Sequence, residues 1–147
     1  MRVQLGRRGI TEITLIVRDA ERAERTAFHL RNCGITIQVQ LFSEMDQAIP
    51  PQLVASTLPG DAGDLPEIPP FVVGSASLFD VAYSPWPSRY AMAWAASPQP
   101  VISGLWMLSY QALAQIRLFV NADATQPLDN EADVFAAMVD AVGLSAE

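Results

Sequence analysis

The single histidine of this 147-residue chain, His29, stands four residues before its single cysteine, Cys33. On a helix that spacing puts imidazole and thiol on one face, as in half of a metal clip. A structural zinc site needs four ligands, and nothing nearby completes the set, so the plainer reading is a partly exposed histidine beside a buried thiol. A Ser-His-acid triad would also have to recruit His29, and Gly74-Ser75-Ala76-Ser77 lacks the glycine spacing of a nucleophile elbow. Gly6-Arg7-Arg8-Gly9 precedes an extended segment instead of joining a strand to a helix, so it is no phosphate cradle. Glu21 and Glu24 alternate with Arg22 and Arg25 at the spacing of a solvated helix face. These residues call for no catalytic group, no metal and no cofactor.

The side chains that remain suit binding. Trp86, Tyr90 and Trp94 lie in or beside a proline-rich middle segment, where tryptophan serves either as core or as an interface anchor. Charge is split along the chain. Residues 1–31 hold seven of the nine arginines against four acids, a net +3, whereas residues 32–147 carry a net −10. The split is either a pattern of solvated faces or a means for the basic start of one subunit, with Arg2, Arg7 and Arg8, to meet an acidic neighbour. The candidate interface is therefore Arg2, Arg7, Arg8, Trp86, Tyr90 and Trp94. A net charge of −7 disfavours sequence-specific nucleic-acid binding.

The elements that must position these groups follow from periodicity and punctuation. Residues 1–9 read as a flexible arm. Ile10 to Arg18 is a strand, Asp19 an N-cap, and Ala20 to Cys33 a helix with Ala20, Ala23, Ala27 and Leu30 on its apolar stripe. Gly34 ends that helix, and Ile35, Ile37, Val39 and Leu41 alternate along a second strand. Prolines and glycines make 43–67 a long loop with room for one short helix around Gln52 to Ser56. Pro70 to Gly74 and Ser77 to Tyr83 read as strand, while Tyr90 to Ala96 suits a strand or a helical turn. Tyr110 to Asn121 alternates as a strand. Leu128, Ala132, Phe135, Val139 and Val142 then draw one stripe down a closing helix, capped by Asp129 or Asn130 and stopped at Gly143.

Half of the residues are apolar, enough for one domain of this length to bury roughly 68–70% of its unfolded surface without staples. One cysteine excludes an internal disulfide and fits a reducing compartment. No segment has the pattern of a signal peptide or a membrane span, so the chain reads as soluble. The expected fold is a single α+β domain over 1–147, a mostly antiparallel sheet flanked by an N-terminal and a C-terminal helix.

Tyr110-Gln111-Ala112 leading into Gln115-Ile116-Arg117-Leu118-Phe119-Val120, then a spacer and an acidic-capped helix, resembles the closing unit of the lambda-type phage tail-terminator and tail-completion proteins. The proline-containing segment Ile68 to Val73 matches that family in outline. The resemblance implies a non-enzymatic virion protein of the head-tail junction, assembled in the host cytoplasm. Its partners would be itself, in a hexameric ring, and the tail-tube and head-connector proteins, with no membrane involved. The start of the chain, strand, helix, strand and then Ile68 to Val73, also resembles a thioredoxin-like fold. There Asp19-Ala20-Glu21-Arg22 stands where C-x-x-C would be, which implies a binding domain without thiol chemistry.

Overall fold

The structure, a computed structural model, describes residues 9–30, 34–47, 49–60 and 62–144. The chain divides into two compact units, Met1–Ile49 with Pro66–Pro69, and Pro50–Leu65 with Pro70–Glu147.

In the first unit, strand β1 (Glu12–Val17), helix α1 (Ala20–Leu30) and strand β2 (Thr36–Leu41) follow one another, and a 3-10 helix, Phe42–Gln47, closes the run. Asp19 caps α1 as its sequence position predicts, its Oδ1 accepting the Arg22 N–H at 3.0 Å. Gly34, at φ +75°, turns the chain between helix and strand, a conformation that costs glycine little. The strands pair in parallel from Glu12 opposite Thr36 to Val17 opposite Leu41. Parallel neighbours require a crossover, and α1 supplies it. Ala27, Ile35 and Ile37 are buried, with Ile13, Leu15 and Val39 packed against them. Each isoleucine so buried stabilises the unit by about 1.5–3 kcal/mol.

The second unit contains β3 (Leu53–Ser56), α2 (Pro70–Ser75), β4 (Ser77–Asp80), α3 (Arg89–Ala93), β5 (Val101–Ser103), α4 (Gly104–Asn121) and α5 (Glu131–Ala141). Its sheet runs β3-β4-β5, with both pairings parallel. Leu78, Ala76 and Trp94 are nearly inaccessible, and the Trp94 indole N–H donates to the Ala76 carbonyl at 2.8 Å. Val72, Tyr90 and Ala91 complete this core.

Phe42–Gln47, read as loop from residue 43, is a 3-10 helix, the strand read to Tyr83 ends at Asp80, and four further segments differ from their sequence reading. Gln52 to Ser56 is mostly strand, because five residues cannot hold a helix in isolation whereas β4 offers a ladder. Pro70 to Gly74 is helical: Pro70 occupies the first helical position, where its missing N–H and fixed φ are favourable. The undecided tract after Pro87 begins as helix α3, with Ser88 as its cap. Most consequential is Tyr110 to Asn121, which lies inside the 18-residue helix α4. Its Leu, Ala, Gln and Arg are strong helix formers, and alternation over these twelve residues did not outweigh them. With that segment helical, the expected antiparallel α+β sheet disappears, and every strand pair among the described residues is parallel. This is an α/β arrangement.

Candidate functional site

Parallel α/β sheets bind ligands outside the carboxyl ends of their strands. In the second unit that edge is polar and buried. Ser56, Asp80 and Ser103 are the last residues of β3, β4 and β5, in register as Ser56 opposite Asp80 and Asp80 opposite Ser103. Their exposures are 6%, 2% and 6%.

Asp80 organises the loop after β4. Its Oδ1 accepts the Ala82 N–H at 3.1 Å and its Oδ2 accepts the Ser88 hydroxyl at 2.5 Å. Ser88 Oγ in turn accepts the Ala91 N–H at 3.0 Å, capping α3. One carboxylate thus fixes both ends of the 81–88 loop, which contains cis peptide bonds before Pro85 and Pro87. Tyr83 and Trp86 project from that loop, 50% and 40% exposed. Gly60, after β3, would bring an added Cβ to 3.3 Å from the Ala82 Cβ, so the turn after β3 rests against the same loop.

The third strand leads directly into α4. A Cβ on Gly104 would lie 2.0 Å from the Val81 carbonyl oxygen, so only glycine permits this crossing, and the Gly104 N–H donates to Ala82 O at 3.2 Å. Ser103 is the N-cap residue of α4, yet its side chain makes no capping bond. Its buried Oγ lacks a hydrogen-bond partner. A buried hydroxyl without a partner is costly, and this one stands beside the amide end of an 18-residue helix. Further along α4, Arg117 Nε and Nη2 donate to both Glu131 carboxylate oxygens, the Nε bond at 2.6 Å, and Arg117 Nη1 donates to Ala124 O at 3.3 Å. This bidentate pair ties α5 to α4 and holds the Glu131 carboxyl below its ordinary range, chiefly through the hydrogen bonds from Arg117. Tyr110 and Phe135 add a ring contact at 4.7 Å.

In the first unit the same edge presents Arg18 after β1 and Phe42 after β2. The guanidinium lies 5.9 Å from the Phe42 ring centroid, a cation–π arrangement.

Of the six residues picked as an interface, Arg2, Arg7 and Arg8 lie outside the described residues, with all of 1–8 of the arm. Tyr90 and Trp94 are core, 6% and 1% exposed, and Trp86 alone of the aromatic three reaches solvent to any extent. Cys33 and the side chain of His29 also lie outside the described residues. Among the described residues no group of three or more metal-ligating side chains gathers, and no helix is long and apolar enough to cross a membrane. Sequence reasoning passed over Asp80, Ser88, Ser103 and Gly104. The one legible signal was Ser103-Gly104 between an apolar pair and a long stretch of helix formers, the pattern of a strand turning into a helix.

Parallel strands, helical crossovers and polar groups at the carboxyl edge define a Rossmann-like α/β fold. Solved structures similar to this chain include dehydrogenases. The shikimate dehydrogenase of Mycobacterium tuberculosis superposes with a TM-score of 0.70 at 27% identity, over 95% of this chain and 50% of that one. A shikimate 5-dehydrogenase from Mycobacterium fortuitum gives 0.67 at 27% identity, over 91% and 48%. Shikimate dehydrogenase 1 of Peptoclostridium difficile, at 13% identity and a TM-score of 0.54, shares the fold. The chain spans about half the length of the two mycobacterial enzymes. No protein-family model matches it, and no curated protein matches it.

These neighbours overturn the tail-terminator resemblance: they are enzymes, and the segment that carried the resemblance lies in helix α4. The non-enzymatic structural role and the virion location fall with it. The hexameric ring and the tube and connector partners stand on that resemblance alone. The thioredoxin-like alternative is likewise unsupported, since the neighbours sharing this β-α-β start are dehydrogenases.

Among the described residues, the turns after β1 and β5 do not fit a whole dinucleotide. Its pyrophosphate needs a glycine-rich turn between a strand and a helix N-terminus. After β1 the turn is Arg18-Asp19, with no glycine, and the Asp19 carboxylate already occupies the amide end of α1. After β5 there is a single glycine, whose N–H is bonded to Ala82. At the carboxyl edges stand Arg18, just after β1, and the buried Ser103 hydroxyl without a partner at the end of β5.

Proposed function

We propose that this chain is one half of an oxidoreductase of the shikimate dehydrogenase kind, turning over only when the remainder of the enzyme is supplied. The observation that carries this reading is the match of an all-parallel fold over 95% of the chain to the M. tuberculosis enzyme. Arg18 supports a phosphorylated nicotinamide cofactor, because its guanidinium stands beside an aromatic face at a strand end. The 81–88 loop, pinned by Asp80, supports a substrate-facing surface with Tyr83 exposed upon it. No chemical step is assigned to these residues.

The test is a polypeptide joining this chain to the half of the M. tuberculosis enzyme that has no counterpart in it. A folded fusion is expected to oxidise shikimate with reduction of NADP+, and the chain alone is expected not to. A folded fusion that binds neither shikimate nor NADP+ would remove the reading.

A further inference from the structure

Tyr83, Ser84, Pro85, Trp86 and Pro87 form an exposed arch between two buried residues, Ala82 and Ser88. An exposed segment gains little from burial, and such segments are ordinarily the mobile part of a fold. This one is fastened at both feet. At the first, the Val81 N–H donates to Ser56 O at 3.0 Å, the Ala82 N–H to Asp80 Oδ1 at 3.1 Å, and the Gly104 N–H to Ala82 O at 3.2 Å. At the second, the Ser88 hydroxyl donates to Asp80 Oδ2 while its oxygen caps α3, and Arg89 Nη1 donates to Gly63 O at 3.2 Å. The two feet therefore share one buried carboxylate. Within the arch, Pro85 and Pro87 each fix a backbone φ.

Burying a carboxylate against an amide and a hydroxyl, both neutral, is costly. What the carboxylate adds is two acceptor oxygens in one rigid plane, so that the amide of one foot and the hydroxyl of the other are held at a set separation. An exposed aromatic segment ordered in this way loses less freedom when a ligand docks on it. We infer that Asp80 and Ser88 are positioning residues for substrate binding. Neither touches the substrate; together they set the arch above the carboxyl edge of the sheet, so that Tyr83 meets the substrate of the proposed reaction in one conformation. The identity of that substrate rests on the proposed function, whereas the coupling of the two feet through Asp80 does not.

The first measurement uses the chain as it is, labelled with 5-fluorotryptophan, whose three tryptophans give three fluorine resonances, Trp86 being assigned with Trp86→Phe. Wild type and Ser88→Thr, which keeps the hydroxyl, are expected to show one sharp Trp86 line. Ser88→Ala should shift and broaden or split it, while the line of Trp106 on α4 stays in place. If Ser88→Ala does not fold, Asp80→Asn carries the same test, since its amide keeps an acceptor for the Ala82 N–H and loses the one for Ser88. The second measurement uses the fused dehydrogenase. Ser88→Ala and Tyr83→Ala are each expected to raise KM for shikimate by about fivefold or more, with kcat and the KM for NADP+ changed by less than about twofold. The double variant should match Tyr83→Ala alone, because Ser88 acts through Tyr83, and Ser88→Thr should keep the wild-type KM. A Trp86 line indifferent to Ser88→Ala, an unchanged KM for shikimate, or losses that add in the double variant would each overturn the inference. A folded wild-type fusion that binds neither shikimate nor NADP+ removes the proposed function and this substrate with it, whereas an altered Trp86 line upholds the coupling of the arch to Asp80 and Ser88.

Discussion

Asp80 and Ser103 are neighbours in one polar row, yet they sit in opposite energetic positions. Asp80 satisfies an amide and a hydroxyl inside the second unit. Replacing it with alanine leaves both donors without an acceptor, and Asp80→Ala should lower unfolding free energy by about 1–3 kcal/mol for each donor left unpaired. Chemical denaturation measures this directly, and a midpoint equal to wild type would refute the bridging role. Ser103 is the converse, since its hydroxyl is buried without a partner. Ser103→Ala removes a polar group that the free protein does not satisfy, so the melting temperature should hold or rise. If that hydroxyl serves a ligand, the same variant in the fused enzyme should raise KM. A drop in stability would mean that Ser103 is already satisfied.

At the scale of elements, the turn from β5 into α4 depends on one missing atom. Gly104→Ala would drive a methyl to within 2.0 Å of backbone, and because backbone yields less than a side chain the cost should reach or exceed the about 1–3 kcal/mol typical of overpacking. A melt of the variant checks it. The pairing of α5 with α4 is electrostatic as well as aromatic. The Glu131 carboxyl is held below its ordinary range by Arg117, and Asp123 is lowered by the backbone and hydroxyl hydrogen bonds of Thr125. A lowered carboxyl contributes stability that is complete above its unfolded pKa, about 4.3 for glutamate, and is lost as pH falls through the lower folded value. Melting temperature should therefore decline on acidification below about pH 5. Glu131→Gln should melt lower at neutral pH and show a shallower decline; an unchanged acid slope would show that the pair adds nothing.

For the whole molecule, the decisive fact is that every strand pair among the described residues is parallel, the arrangement on which the proposed nucleotide-binding role rests. Arg18 tests that assignment in the fused enzyme. Arg18→Ala should weaken NADP+ by about tenfold or more, the loss of a charge-assisted hydrogen bond, with little effect on NAD+. Steady-state KM values for the two cofactors distinguish the outcomes, and equal losses for both would show that Arg18 does not read the 2′-phosphate.

Local signals in the chain predict the strand, helix and strand that open the first unit, and the last helix. Ile35 to Leu41 alternates cleanly, Asp19 has the chemistry of a cap, Gly34 and Gly143 mark turns at positive φ, and the Phe135–Val139 stripe has a single helical reading. Each of these signals is local, because capping, alternation and left-handed glycines are settled by neighbours in the chain. Tertiary structure alone decided the direction of the sheets and the site. Parallel and antiparallel strands carry the same alternation, and Gln52 to Ser56 became strand only because β4 lay beside it. Ser56, Asp80 and Ser103 are separated by more than twenty residues at each step, ordinary polar residues until parallel register places them in one row. Tyr110 to Asn121 shows the boundary between the two: its helix formers were legible, but a period of two was read where composition and an unbroken run from Gly104 favoured a helix. Which side chains are buried, and which hydroxyl is left without a partner, follows from packing, and packing is a property of residues far apart in the chain.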